Sequence, residues 1–227
     1  MPDRLIAIRV DNSSFIGLGH SQRCLYIALE LRKINFEVIF ISRQLKSSNY
    51  SIITNYGFKV YELSSNNLNK IDEKDHSKWL CVDSDSDSQQ TYEILSSLGC
   101  KTILVDHYGI GSNWEEKLKE KNINIAVIDD LDREHYCNLL IDYSFWKKES
   151  DFNKFQNIDN FIIGKGFFPL DERLRDHKIK EKNFLSPNIL ISVGGHDREG
   201  LTEEILLGLN KIKDLPYNKI YIVVNEQ

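Results

Sequence analysis

Short apolar runs alternate with helix-length amphipathic segments along most of this chain, and this alternation limits the possible folds more than any other feature. The runs are rich in isoleucine, valine and leucine, which is typical of strands buried on both faces of a parallel sheet. Such alternation predicts βαβ units in a doubly wound α/β sheet. The predicted strands are Leu5–Asp11, Glu37–Ser42, Lys59–Leu63, Lys101–Asp106, Asn124–Asp130 and Leu139–Tyr143. The predicted helices are His20–Ile34, Ser47–Tyr56, Ser86–Leu98 and Asn113–Lys121.

Acidic residues stand at the end of three predicted strands. They are Asp11, Asp106 and the pair Asp129 and Asp130. Ligands of open α/β sheets bind in the crevice outside the carboxyl ends of the strands. The acids are therefore predicted to share the edge where a site is expected, although polar residues also mark ordinary strand exits.

The charged segment Asp176–Asn183 predicts a linker, and a second pattern of strand, glycine turn, helix and strand begins after Pro187. The second pattern contains the predicted strand Asn188–Val193, and a single βαβ unit cannot bury a core alone. We expect a first domain over residues 1–177, a linker over 178–186 and the beginning of a second domain over 187–227. Either this unit docks on the first domain or the chain is a truncated piece of a longer protein, and the organisation favours truncation.

Charge and hydropathy narrow the range of partners. The formal net charge of −5 argues against broad nucleic-acid binding, which needs a basic face. No apolar run approaches the ~20 residues that a membrane span needs, and no secretory leader opens the chain. The four cysteines form no C-x-x-C pair, as expected for reduced thiols. We expect a cytoplasmic protein that binds neither nucleic acid nor membrane.

The stretch GLGHSQ, residues 17–22, resembles a dinucleotide-binding turn without meeting its pattern. It lacks the third glycine, and no acid closes the second strand, which excludes nicotinamide and flavin cofactors. Gly17 and Gly19 still allow a ligand close to the backbone at the start of a helix. His20 would lie near the positive end of that helix, which favours the neutral imidazole that a general base requires. A helix cap or a loop hydrogen bond would equally explain an isolated histidine.

The stretch Asp106, His107, Tyr108 and Gly109 repeats this arrangement after a later strand. Its side chains are predicted to project into the same crevice as His20. Tyr108 can stack on a sugar or donate a hydrogen bond, and Asp106 can orient a neighbour. From the residue considered alone, we expect a structural rather than a catalytic role for His107.

Two acidic stretches could be mistaken for metal sites. Asp129, Asp130, Asp132, His135 and Cys137 match no common zinc spacing. The run DSDSDS lacks the glycine and glutamate of a calcium loop. We therefore predict neither a metal nor a cofactor.

The turn GGHDREG follows the first strand of the second pattern and precedes a helix. Its Gly194, Gly195 and Asp197 are candidate nucleotide-binding residues, because glycines at a helix entrance can hold a pyrophosphate. A tight βα turn would explain the glycines as well.

Several stretches, in this order, resemble the UDP-2,4-diacetamido-2,4,6-trideoxy-β-L-altropyranose hydrolase family of pseudaminic acid biosynthesis. The matching stretches are RVDNSSFIGLGHSQRCL, WLCVDSDSDSQQTYEIL, ILVDHYGIGSNWEEKL, IAVIDDLDREHYCNLLID, IIGKGFFPLDERLRD and NILISVGGHDREGLTEEIL. The resemblance implies a GT-B-like α/β fold of two Rossmann-like domains, with UDP held mainly by the second. It also implies metal-independent, inverting attack of water on the anomeric carbon.

The resemblance assigns roles to individual residues. His20 matches the general base, Tyr108 the site tyrosine, and Arg173 an arginine near the ligand. The predicted substrate-binding residues are Asp11, Gly17, Gly19, Arg23, Asp106, His107, Tyr108, Gly109 and Arg173. The stretch IDYSFW, Ile141–Trp146, departs from the family, as does Pro169, so the exact sugar stays open.

Two alternatives remain beside the hydrolase. One is a GT-B glycosyltransferase that uses a UDP-sugar donor, since the same base could deprotonate an acceptor hydroxyl. The other is a truncated, non-catalytic module that binds a nucleotide sugar. In each case the predicted partner is a small-molecule UDP-sugar, and the sequence leaves the oligomeric state open.

Overall fold

The computed structural model describes residues 4–65, 75–152, 154–174, 187–193, 197, 200–212 and 216–223. Contacts within the chain define two compact units, Met1–Leu170 and Asp171–Gln227. The predicted linker, residues 178–186, lies outside the described residues.

The first unit is an α/β unit built on a seven-stranded sheet in the order β3-β2-β1-β4-β5-β6-β7, with every neighbouring pair parallel. The strands are β1 Leu5–Val10, β2 Glu37–Arg43, β3 Lys59–Leu63, β4 Thr102–Asp106, β5 Asn124–Ile128, β6 Cys137–Asp142 and β7 Ile158–Ile163. The helices are α1 Gly19–Lys33, α2 Ser51–Thr54, α3 Ser84–Ser97 and α4 Ser112–Lys119. The predicted doubly wound α/β sheet is confirmed.

Two elements differ from the prediction for clear physical reasons. Strand β7 was not predicted, because it lies at the sheet edge and its residues IDNFII are mostly half-buried or exposed. Helix α2 is shorter than predicted, since Ser47 has a positive φ of 65° and cannot belong to a right-handed helix.

Asp83 caps α3, accepting a hydrogen bond from the Ser86 backbone at 2.8 Å.

The strand order reverses direction at β1, which pairs with β2 on one side and β4 on the other. Val10 of β1 is in register with Asp106 of β4. The loop after β1 therefore emerges beside the end of β4, at the switch point where ligands of such sheets bind.

Apolar clusters cover both faces of the sheet. One includes Ile8, Val10, Leu25, Ala28, Phe40 and Ile53, and the other includes Ile39, Ile41, Leu95, Ile103, Trp114 and Leu118. Full burial of each large aliphatic side chain contributes about 1.5–3 kcal/mol. Such packing fixes the strand ends, and with them the loops of the switch point.

The second unit contains a parallel pair, β8 Ile189–Ile191 and β9 Ile220–Ile222, and helix α5 Leu201–Lys211. Within the described part of the chain, no helix is both long and apolar enough to span a bilayer.

Candidate active site

The loop after β1 delivers His20 to the switch point. Gly17 has φ +84°, a left-handed conformation that glycine adopts without strain, and its N–H donates to the Ser13 carbonyl at 2.9 Å. Helix α1 then begins at Gly19, so that His20 lies in its first turn. A Cβ on Gly17 or Gly19 would meet no atom within 4 Å, so the space beside this loop is open.

His20 and Asp106 form a buried pair. Nδ1 of His20 lies 2.7 Å from Oδ1 of Asp106, whose side chain is fully buried, whereas His20 retains 8% exposure. A carboxylate oxygen only accepts, so the hydrogen bond with Asp106 places the proton on Nδ1 and the lone pair on Nε2. Nη2 of Arg23 lies 2.9 Å from the same Nδ1 and donates to Oδ1 of Asp106 instead. No described residue hydrogen bonds to Nε2. The arrangement has the geometry of a histidine base oriented by a carboxylate.

Arg23 is a second partner of the Asp106 carboxylate. It lies one turn after His20 on α1 and donates to both oxygens of the carboxylate. Burial alone would raise the pKa of Asp106, but the charge of His20 and the hydrogen bond from Arg23 outweigh burial and lower it to about 2. Asp106 is therefore a carboxylate at neutral pH.

Aromatic rings surround His20. Its ring meets Tyr108 edge-on, with centroids 4.6 Å apart, and faces Trp79 at 6.4 Å. His76 stacks on Tyr108 at 5.2 Å. Burial of the Tyr108 hydroxyl and its 2.7 Å hydrogen bond to Asp130 raise the pKa of this phenol, so it stays protonated. These rings form an aromatic wall beside the imidazole.

The loop that carries Tyr108 is held internally by His107. Its Nδ1 accepts a hydrogen bond from the Gly109 backbone at 3.0 Å, and its Nε2 lies 3.1 Å from Asp11 Oδ2. A Cβ on Gly109 would come within 3.0–3.1 Å of His107, a His76 carbonyl and the Leu80 nitrogen. Glycine is required there by close packing.

Arg133 holds the same loop from the other side. Its guanidinium donates to the carbonyl of Tyr108 at 2.6 Å and to that of Ile110 at 3.0 Å. It also pairs with Asp129 at the exit of β5. Tyr108 is thus fixed at both its backbone and its hydroxyl, a rigidity that helps a binding surface keep its shape.

A buried charge network lies beneath the site. Arg9 pairs with Asp11 and Asp87, and Arg43 pairs with Asp87, all with fully buried side chains. Asp11 also accepts from the Arg43 backbone at 2.6 Å and from Ser42 at 3.2 Å. Burial opposes ionisation of Asp11, yet Arg9 and His107 hold its pKa well below the ordinary value.

Asp11 and His107, both predicted to bind substrate, are buried next to each other. Asp11 has no exposed surface, and His107 is 4% exposed with both ring nitrogens facing internal partners. Neither presents a polar atom to a substrate, and together they support the loop that carries Tyr108.

His135, a member of the candidate metal cluster, lies between two carboxylates. Its Nδ1 is 2.7 Å from Glu115, and its Nε2 is 3.3 Å from Asp129. Burial opposes protonation of His135, but hydrogen bonds to Asp129 and Glu115 outweigh it and raise its pKa to about 9. Cys137 is packed in the apolar core. Within the ranges that the structure describes, no three His, Cys, Asp or Glu side chains are grouped to hold a metal ion.

The remaining predicted residues belong to the second unit. The exposed Arg173 side chain pairs with Asp171 two positions earlier. Exposed Asp197 accepts a hydrogen bond from the Thr202 backbone at the start of α5. Gly194 and Gly195 lie outside the described residues. Within the first unit, His20, Arg23, Asp106 and Tyr108 of the predicted set lie in contact with one another.

Four residues around the site were missed in the sequence, namely His76, Trp79, Arg133 and Tyr143. Tyr143 follows β6 and donates to no acid, but its hydroxyl oxygen accepts a hydrogen bond from Arg23. Tyr143 lies at the exit of a strand, and the same kind of position identified Asp106 as a candidate. Trp79 and His76 lie in a segment without helical or strand periodicity, which gave no comparable signal.

Comparison with known proteins gives distant relatives. The chain is 24% identical over 212 residues to the UDP-2,4-diacetamido-2,4,6-trideoxy-β-L-altropyranose hydrolase of Campylobacter jejuni, covering 92% of this chain and 66% of that protein. It is 28% identical over 228 residues to an uncharacterised protein of Methanocaldococcus jannaschii, covering 95% of this chain and 42% of that protein. The chain thus spans less than two thirds of either relative. No protein-family model matches it.

A solved structure agrees with the architecture. The MurG of Acinetobacter baumannii superposes with a TM-score of 0.56 at 10% identity, over 99% of this chain and 68% of that one. At this identity the likeness concerns the fold, and it confirms the predicted α/β, GT-B-like class.

Proposed function

We propose that this chain carries the catalytic base of a nucleotide-sugar hydrolase that acts on UDP-2,4-diacetamido-2,4,6-trideoxy-β-L-altropyranose. The observation that carries the proposal is the His20–Asp106 pair, with Nδ1 engaged at 2.7 Å and Nε2 without a hydrogen bond from any described residue. The distant similarity to a hydrolase of this UDP-sugar supports the choice of substrate.

The reaction needs few groups. Nε2 of His20 accepts a proton from water as the water oxygen attacks the anomeric carbon. The bond between that carbon and the UDP oxygen breaks, and UDP leaves with the electron pair. Direct displacement by water from the opposite face inverts the anomeric centre. UDP is a good leaving group, so positioning and deprotonating the water are the main demands on the protein.

The surroundings of His20 suit this role. After the transfer the imidazolium lies against the Asp106 carboxylate, which stabilises its charge. Tyr108 packs edge-on against the imidazole and limits its rotation. Its ring is partly exposed, so the exposed part can pack against a sugar.

The other predicted residues complete the proposal. Gly194, Gly195 and Asp197 are proposed to bind the nucleotide, and Arg173 to contact the substrate. Residues 1–177 are proposed as the sugar-binding and catalytic domain, and 187–227 as the beginning of the nucleotide-binding domain. The proposed reaction involves no metal or cofactor, and the proposed location is the cytoplasm.

The GT-B-like fold also fits a glycosyltransferase, in which His20 would deprotonate an acceptor hydroxyl. Incubating the full-length protein with the UDP-altropyranose derivative in H₂¹⁸O distinguishes the two. The hydrolase releases free sugar carrying ¹⁸O, and unlabelled UDP, without any acceptor. UDP release that requires an added acceptor would instead support the transferase. No UDP release under either condition would overturn both.

A further inference from the structure

Arg23 lies between the His20–Asp106 pair and an aromatic residue from a different strand. Its Nε and Nη2 donate to the carboxylate oxygens of Asp106, and its Nη1 donates to the hydroxyl of Tyr143. The guanidinium carbon also lies 5.4 Å from the centre of the Tyr143 ring. Tyr143 comes directly after β6, two strands beyond β4 in the sheet. Arg23 thus connects α1, β4 and the exit of β6.

These contacts leave Arg23 poorly placed to bind a substrate. All three guanidinium nitrogens donate within the protein, and the side chain is 13% exposed. The planar guanidinium holds a carboxylate in a fixed orientation more strictly than an ammonium can. These contacts suit an action of Arg23 on the site through Asp106, whereas the sequence predicted it as a substrate ligand.

We propose that Arg23, anchored by the Tyr143 hydroxyl, is a positioning residue that orients the Asp106 carboxylate towards His20 and limits the affinity of His20 for a proton. Arg23 Nη2 lies 2.9 Å from His20 Nδ1, so its positive charge opposes the imidazolium while Asp106 favours it. The catalytic relevance of Arg23 rests on the proposed function of His20.

The other groups around the pair are few. Among the described residues, the titratable and charged groups in contact with His20 or Asp106 are Arg23 and Cys24 of α1 and Tyr108 after β4. Tyr108 in turn contacts His76, Asp130 and Arg133. Burial and the Asp106 charge raise the pKa of the Cys24 thiol, so it stays neutral. Among the described residues in direct contact with the pair, Arg23 is therefore the permanent cation that can oppose protonation of His20.

The test measures the pH titration of the His20 ring nitrogens by ¹⁵N NMR in the protein itself, with the signal assigned by its loss in His20→Gln. Arg23→Gln removes the opposing charge, so the midpoint should rise by about one pH unit, the low end for a charge at this range. Tyr143→Phe should give a smaller rise, because it keeps the ring but frees the guanidinium. Arg23→Lys, which keeps the charge, should stay closer to the wild type than Arg23→Gln.

Arg32→Gln is the matched control, since this exposed arginine of α1 contacts the Tyr56 carbonyl and the Phe58 ring. It should leave the midpoint unchanged. A midpoint in folded Arg23→Gln equal to that of the control overturns the proposal. If Arg23→Gln does not fold, Tyr143→Phe decides: an unchanged midpoint there also overturns it.

The titration needs no substrate, so its outcome is separable from that of the proposed hydrolysis. A shift without any UDP release would uphold the role of Arg23 on His20 and reject the function. UDP release that depends on His20, together with an unchanged titration midpoint in Arg23→Gln, would uphold the function and reject the role of Arg23. In an active protein, Arg23→Gln should also move the acid limb of the rate profile upward by the same amount as the NMR midpoint.

Discussion

Nδ1 of His20 lies 2.7 Å from Oδ1 of Asp106, although 86 positions separate the two residues in the chain. The contact joins the first turn of α1 to the last residue of β4. The parallel sheet creates this contact, because β1 and β4 are neighbours whose carboxyl ends share one edge. A histidine that the sequence alone left ambiguous thereby gains a fixed tautomer and an available Nε2.

Replacing Asp106 with asparagine tests the tautomer. The amide can present an N–H to Nδ1, which moves the imidazole proton to Nε2 and removes the base. We expect UDP release by the full-length protein to fall on the order of 10²–10⁴-fold, as in other histidine–aspartate pairs. Asp132→Asn is the control, since Asp132 pairs only with the lysines Lys147 and Lys154 among described residues. Equal rates for the two variants would contradict the assignment.

Asp87 tests the buried network beneath the site. It pairs with Arg9 and Arg43 and accepts a hydrogen bond from Trp114 at 2.9 Å, all fully buried. Asp87→Asn removes the negative charge that balances the two buried guanidinium groups. The free energy of unfolding in urea should therefore fall by about 3–5 kcal/mol. Asp85→Asn, two positions earlier and with a 74% exposed side chain, should change it by less than about 1 kcal/mol. A loss for Asp87→Asn no larger than that of Asp85→Asn would contradict the network's importance.

The glycines of the Tyr108 loop provide a paired test of packing. A Cβ at position 109 would press on backbone atoms of His76 and Leu80, whereas one at Gly111 meets nothing within 4 Å. Gly109→Ala should lower the free energy of unfolding by about 1–3 kcal/mol, the usual cost of overpacking. Gly111→Ala should be nearly neutral in the same denaturation experiment. Equal stabilities would show that this loop is not closely packed.

His135 should make stability depend on pH on the alkaline side. Its pKa is raised to about 9 from an ordinary 6.5, so the folded state binds the proton more tightly than the unfolded state. This contribution is fully present below pH 6.5 and is lost as the pH rises through 9, for a total on the order of 3 kcal/mol. Urea denaturation between pH 6 and 10 should show this loss in the wild type and less of it in His135→Gln. Parallel curves for the two proteins would argue against a protonated His135.

The sequence predicted the sheet well, because its central strands are buried on both faces and show continuous apolar runs. It missed β7, whose edge position leaves half-exposed residues with no such run. The site was predicted in part. The ends of predicted strands located Asp106 and Tyr108. The same signal did not lead to a role for Tyr143. Nothing local in the sequence showed that Asp11 would be enclosed by Arg9 and Arg43. Burial of a polar residue depends on distant partners, which a local pattern does not contain.

The most direct test of the central claim is the rate of UDP release from the UDP-altropyranose derivative by the full-length protein and its His20→Gln variant. Glutamine offers no base of comparable strength, while the surrounding loop keeps a polar side chain at this position. The UDP affinity of both proteins, measured by calorimetry, should agree within a few-fold. We predict a loss of at least about 10²-fold in rate with this affinity retained. An unchanged rate in His20→Gln would contradict the assignment of His20 as the base.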